Sequence, residues 1–113
     1  FFGNLYKLNK LKDIEETIVK LKESFDGRFY LEVQRHKELG ETNFENFLIS
    51  LSSKYKIPLI ASQEVFYMNQ DMAEAHDALV CIGQKSFVED TQRIKFNNDH
   101  YIKKREDLLK TIY

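Results

Sequence analysis

The hydrophobic period changes three times before Ser62, and this constrains the fold more than any other property of the chain. Leu11, Ile14, Ile18, Leu21 and Phe25 recur at three- and four-residue steps, which puts them on one face of a helix over about residues 10–25. Asp13 with Glu16 suits a capping pair at its start, and Asp26-Gly27 a turn at its end. From Arg28 to Gln34 the pattern alternates, with Phe29, Leu31 and Val33 opposite Tyr30, Glu32 and Gln34, as in a strand. Thr42 followed by Glu45 matches a capping box, and Phe44, Phe47, Leu48, Leu51 and Tyr55 then predict a helix over 42–55. The short apolar run Pro58-Leu59-Ile60-Ala61 reads as a buried strand. Strand, helix and strand within about 35 residues form a βαβ unit, whose strands run parallel through a right-handed crossover. An α/β fold in one modest domain is the expectation.

Beyond it, Met72, Ala75, Leu79 and Ile82 predict a helix over 70–82 with this stripe inward, Asn69 or Asp71 as cap and Gly83 as terminator. Residues 84–103 hold the polar turn Asn97-Asn98-Asp99 and no sustained period, and a last helix follows from Lys104 to Ile112.

With 17 basic against 18 acidic residues, no whole-surface field draws the chain to nucleic acid or a membrane. A single cysteine, Cys81, excludes an internal disulfide and agrees with a reducing compartment. No apolar run approaches membrane-spanning length. The chain opens at Phe1-Phe2-Gly3 without an initiator Met or a leader, so it is expected to be a piece of a larger soluble cytoplasmic protein that carries no complete active site of its own.

Ligands of open α/β sheets bind beyond the carboxyl ends of the strands. Around those ends stand Glu32, Gln34, Arg35 and His36, then Ser62, Gln63 and Glu64. Glu32, His36 and Glu64 have the lone pairs for a divalent metal or for acid–base work, although two acids and one histidine at strand ends also arise by chance. His76 and Cys81, five positions apart, diverge by roughly 140° on a helix and make no zinc pair; they read as a hydrogen-bonded helix side chain and a packed core residue. Tyr101 with Lys103, Lys104 and Arg105 has the ingredients of a nucleic-acid contact, but Glu106 and Asp107 nearly cancel the charge, which favours a solvated helix start. No glycine-rich phosphate loop or nucleophile elbow is present.

Three segments in register carry a family resemblance: Gly27-Arg28-Phe29-Tyr30-Leu31-Glu32-Val33-Gln34-Arg35-His36, then Ile57-Pro58-Leu59-Ile60-Ala61-Ser62-Gln63-Glu64-Val65-Phe66-Tyr67, then Ala75-His76-Asp77-Ala78-Leu79-Val80-Cys81-Ile82-Gly83. Their order and spacing resemble the alpha subunit of bacterial DNA polymerase III. A looser match runs from Arg93-Ile94-Lys95-Phe96 to His100-Tyr101-Ile102-Lys103. The resemblance implies the later part of a polymerase-and-histidinol-phosphatase (PHP) domain over residues 1–83, a partial distorted α/β barrel, with residues 84–113 leading toward the polymerase palm. It implies a parent chain that is a template-directed DNA polymerase, a nucleotidyltransferase of DNA replication. That parent would use Mg in its palm and meet DNA and other replisome subunits, while this segment works against the remainder of its own chain and has no membrane partner.

Some members of that family bind metals in the PHP domain and remove nucleotides as a 3′-5′ exonuclease; others use the domain as a scaffold. Where metal-binding members place an Asp and a His, this sequence has Glu64 and Phe66. The resemblance therefore implies no catalytic residue, metal or cofactor in this segment, with Glu32, His36 and Glu64 as the remnant of a PHP pocket. Two other readings stand beside it: a variant metal site with Glu64 as a ligand and retained phosphoesterase activity, and a stand-alone interaction module presenting the charged helix over 10–25.

Overall fold

The computed structural model describes residues 1–112, and the side chains of residues 1–110. The chain divides into two compact units, one of residues 1–33 and 39–62, the other of residues 34–38 and 63–113.

In the first unit, α1 (Phe2–Lys7) and α2 (Leu11–Phe25) are followed by β1 (Leu31–Gln34), α3 (Glu41–Tyr55) and β2 (Leu59–Ser62), with the last residue of β1 passing into the second unit. The two strands pair in parallel, as the strand–helix–strand pattern predicts. Ile14 and Ile18 of α2 are wholly buried and meet Leu31, Leu51 and Ile57, with Phe2, Leu5, Tyr6, Phe29, Phe47 and Tyr55 around them. Leu11 and Phe25, on the same predicted stripe, stay exposed. The helical period therefore picks the right face, but only its middle reaches the core. The segment before Lys10, which carries no strong pattern, forms α1 and supplies Tyr6, whose ring lies 5.2 and 5.3 Å from those of Phe44 and Phe47.

Neither predicted cap forms. Helix α2 starts after Lys10 with no side-chain cap, and Asp13 falls inside its first turn, where its charge still complements the helix dipole. Helix α3 starts after Gly40 at φ 83°, so Thr42 lies within the helix and Glu45 is buried. Glycine adopts that backbone without a Cβ clash, and this moves the start ahead of the Thr42–Glu45 box. At the far end, Lys56 turns left-handed, the Ser52 hydroxyl donates to the Ile57 carbonyl (2.6 Å), and the Ile57 N–H donates back to Ser52 (3.0 Å). Asp26 and Gly27 both take positive φ and end α2 as expected.

Strand β2 is not buried: Leu59 and Ile60 are exposed. A parallel sheet normally sits between two covering layers. Here β2 has one neighbouring strand among the described residues, and no closed barrel forms among them.

The second unit carries a 3₁₀ turn (Gln70–Met72), α4 (Ala73–Gln84) and α5 (Arg105–Ile112). Helix α4 is rotated from its predicted orientation. Met72, Ala75, Leu79 and Ile82 face outward, while Cys81 is buried and His76, Asp77 and Val80 are half-buried. Gly83 does not end it; Lys85 does, in the left-handed region at φ 55°. The reason for the rotation is polar. Arg93 reaches Asp77 with both terminal nitrogens (2.6 and 2.7 Å) and also donates to the Val88 carbonyl (3.1 Å). Such a two-pronged pair is geometrically specific. It holds the Asp77 carboxyl below the usual aspartate range. Gln84 adds an exchange of hydrogen bonds with the main chain of Ile94, so the segment after α4, which shows no period, is tied down by side chains.

Candidate functional site: a histidine and aromatic cluster

The chain leaves β1 into Arg35-His36-Lys37-Glu38 and leaves β2 into Gln63-Glu64-Val65-Phe66-Tyr67, and both stretches belong to the second unit. Against them lies the segment 96–103. The His100 carbonyl accepts from the Phe66 N–H (2.9 Å), and the Ile102 N–H donates to the Tyr67 carbonyl (3.2 Å), which completes a parallel bridge between Tyr67 and Tyr101.

This pairing gathers four rings into a near-parallel series. His36 and His100 stack at 4.3 Å, His100 and Phe66 at 4.9 Å, and Phe66 and His76 at 4.9 Å, with interplanar angles of 13°, 26° and 6°. Phe96 packs edge-on against Phe66 (4.9 Å) and His100 (5.7 Å). His76 is thus held by stacking on Phe66, and no hydrogen bond of its side chain helps to place it among the described contacts.

The same unit holds a buried ionic pair. Asp99 and Lys103 are both buried and joined at 2.5 Å, and Lys37 approaches Asp99 to 3.3 Å from solvent. The Lys103 ammonium also donates to the Arg35 carbonyl (3.3 Å), and the Asn97 amide donates to the His36 carbonyl. Burial pushes the Asp99 carboxyl up, but Lys103 and Lys37 outweigh it and hold it below the usual aspartate range. The start of the last helix is solvated as expected, with Lys104, Arg105, Glu106 and Asp107 exposed, but Lys103, which precedes α5, is buried as the counter-ion of Asp99.

Of the three residues read as a remnant pocket, His36 and Glu64 come together and Glu32 lies in the other unit, where it accepts from the Ser62 hydroxyl. The Glu64 contact is made by its main chain: its N–H donates to His36 Nε2 at 3.0 Å. That nitrogen therefore presents its lone pair to a proton donor. The Glu64 carboxylate instead faces His100 Nδ1 at 3.7 Å, with Glu38 3.8 Å from Nε2 of the same ring, both beyond hydrogen-bond length. His36 Nε2 is engaged by that main-chain N–H and Phe66 has no lone pair to give; no group of three or more His, Cys, Asp or Glu that could hold a metal ion is found among the described residues.

His100, Asp99, Lys103 and Phe96 were not singled out by strand-end reasoning. The turn at Asn97-Asn98-Asp99 and the aromatic and histidine residues on either side of it were legible, but a turn does not reveal which distant segment it will pair with. No helix among the described residues is long and apolar enough to cross a membrane.

Fold and cluster together define a mixed α/β chain whose histidines serve as packing surfaces around a buried ion pair. Its relatives are DNA polymerase III alpha subunits. The chain is 34% identical to that subunit from Borreliella burgdorferi across 88% of its length, 32% identical to that of Rickettsia bellii across 95%, and 28% identical to that of Caulobacter vibrioides across 94%. It is homologous to a short stretch of these proteins and spans 9% of the length of each. No family model matches the chain.

Proposed function

We propose that this chain is the later part of the PHP domain of a DNA polymerase III alpha subunit, with residues 84–113 leading toward the palm, and that it works as a scaffold without metal. The observation that carries the reading is the similarity to those subunits along nearly the whole chain. The ring series supports the scaffold role. Phe66, at a position where metal-binding members of the family are expected to have histidine, is stacked between His100 and His76, and His36 is tied to the Glu64 main chain. Side chains committed to packing and internal hydrogen bonds give rigidity, not turnover.

On this reading, template-directed synthesis belongs to the parent chain, with Mg in its palm and DNA and other replisome subunits as its partners in the cytoplasm. The test is primer extension by the purified parent polypeptide. It is expected to add nucleotides to a primed template in a Mg-dependent manner; an intact, folded parent that extends no primer contradicts the assignment.

A further inference from the structure

Helix α4 has its apolar stripe on the outside. Met72, Ala75, Leu79 and Ile82 fall within an arc of about 80° at 3.6 residues per turn, and all four are exposed, Leu79 at 65% and Ile82 at 74%. The opposite side, which packs into the second unit, carries His76, Asp77 and Cys81. Just past the helix end, Phe87 is exposed as well. A helix that is covered on one side and apolar on the other is built to be covered twice, and exposed apolar stripes of this kind mark interaction surfaces. One edge of the stripe is acidic, with Asp71 and Glu74 exposed beside it.

Resting on the polymerase reading above, we infer that this face is where a distant segment of the same parent polypeptide packs, an apolar segment with basic residues along the side that meets Asp71 and Glu74. Two observations favour an occupant from the same chain. The relatives are about eleven times as long as the stretch matched here, since that stretch is 9% of each, so most of such a parent lies outside these residues. The stripe is also continuous along α4, as suits a lasting intramolecular contact; a transient partner would be met by a more polar surface.

Leu79→Cys, Ile82→Cys and, as a reference outside the proposed contact, Thr91→Cys at an exposed position beyond α4 are made singly in the full parent polypeptide, and the maleimide labelling rate of each new thiol is read by peptide mass spectrometry. Since Leu79 and Ile82 are exposed within their own unit, their substitution leaves that unit's packing intact. The expected result is labelling at Leu79→Cys and Ile82→Cys at least about ten-fold slower than at Thr91→Cys, independent of protein concentration. Equal rates at all three positions overturn the inference while leaving the polymerase reading intact. Protection that disappears on dilution overturns it in favour of a second copy. A native polypeptide of only about 13.5 kDa, read by intact mass, removes the proposed occupant and the polymerase reading together.

Discussion

Asp99→Asn lowers stability by about 3–5 kcal/mol at neutral pH, because it leaves the Lys103 ammonium buried without its counter-charge. Lys103→Met has a loss of similar size for the mirror reason. The double variant recovers much of it, since a buried pair removed as a whole leaves no orphan charge. Urea unfolding of the four proteins tests this: the two single changes move the midpoint strongly, and the double change moves it less than either. Losses that simply add would show that the two groups do not act as a pair. The pair also fixes an acid dependence. The folded-state pKa of Asp99 lies below its unfolded-state value of about 3.9, so its contribution is whole above that value and is lost as pH falls through the lower folded-state value. Asp99→Asn is therefore expected to flatten the fall in stability below about pH 4 relative to wild type.

Ile18→Ala is the second large effect, at about 2–5 kcal/mol. Ile18 has no exposed surface and lies in the cluster of Ile14, Leu31, Leu51 and Ile57, where nothing can move in to fill the space without disturbing α2, β1 and α3 together. Leu11→Ala, on the same predicted stripe but at the exposed end of α2, is expected to cost less than about 1 kcal/mol. Equal losses at the two positions would mean that the whole stripe is buried in solution and that the first unit packs differently.

The contrast between Ile18 and Leu11 shows how far periodicity carries. It finds α2, β1 and α3 because each is a local pattern that burial of one face enforces, and it finds β2 from its short apolar run although that run stays exposed. It misplaces the caps at Asp13 and Thr42, because Gly40 offers a cheaper left-handed start than a side-chain box provides, and Lys10 precedes α2 without any cap. It reverses α4, because apolar residues point toward the core only when that core holds their partners; in the second unit the stronger demands are those of Asp77 for Arg93 and of His76 for Phe66. The histidine cluster lay furthest beyond the sequence. His36 and Glu64 could be marked as polar residues near strand ends, but their neighbours His100 and Asp99 arrive through a bridge between Tyr67 and Tyr101 that no local pattern announces.

On the proposed scaffold reading, the cluster shows how residues able to do chemistry are taken up in packing. An imidazole serves as a ligand or a base when its lone pair is free to meet substrate or metal. Here the Nε2 lone pair of His36 accepts from a main-chain N–H, and the His100 ring is buried between His36 and Phe66. Phe66→His would place a nitrogen donor at the centre of the series, within ring-stacking distance of both His76 and His100.

The central claim is tested most directly by the metal content and 3′-5′ exonuclease activity of the full parent polypeptide, wild type against Phe66→His, in zinc and in manganese. The account predicts a wild type that retains no metal in its PHP domain and removes no primer ends through it, with metal retention rising only in Phe66→His. A metal-loaded wild type that degrades primer ends, and loses both properties on Glu64→Gln, would contradict it.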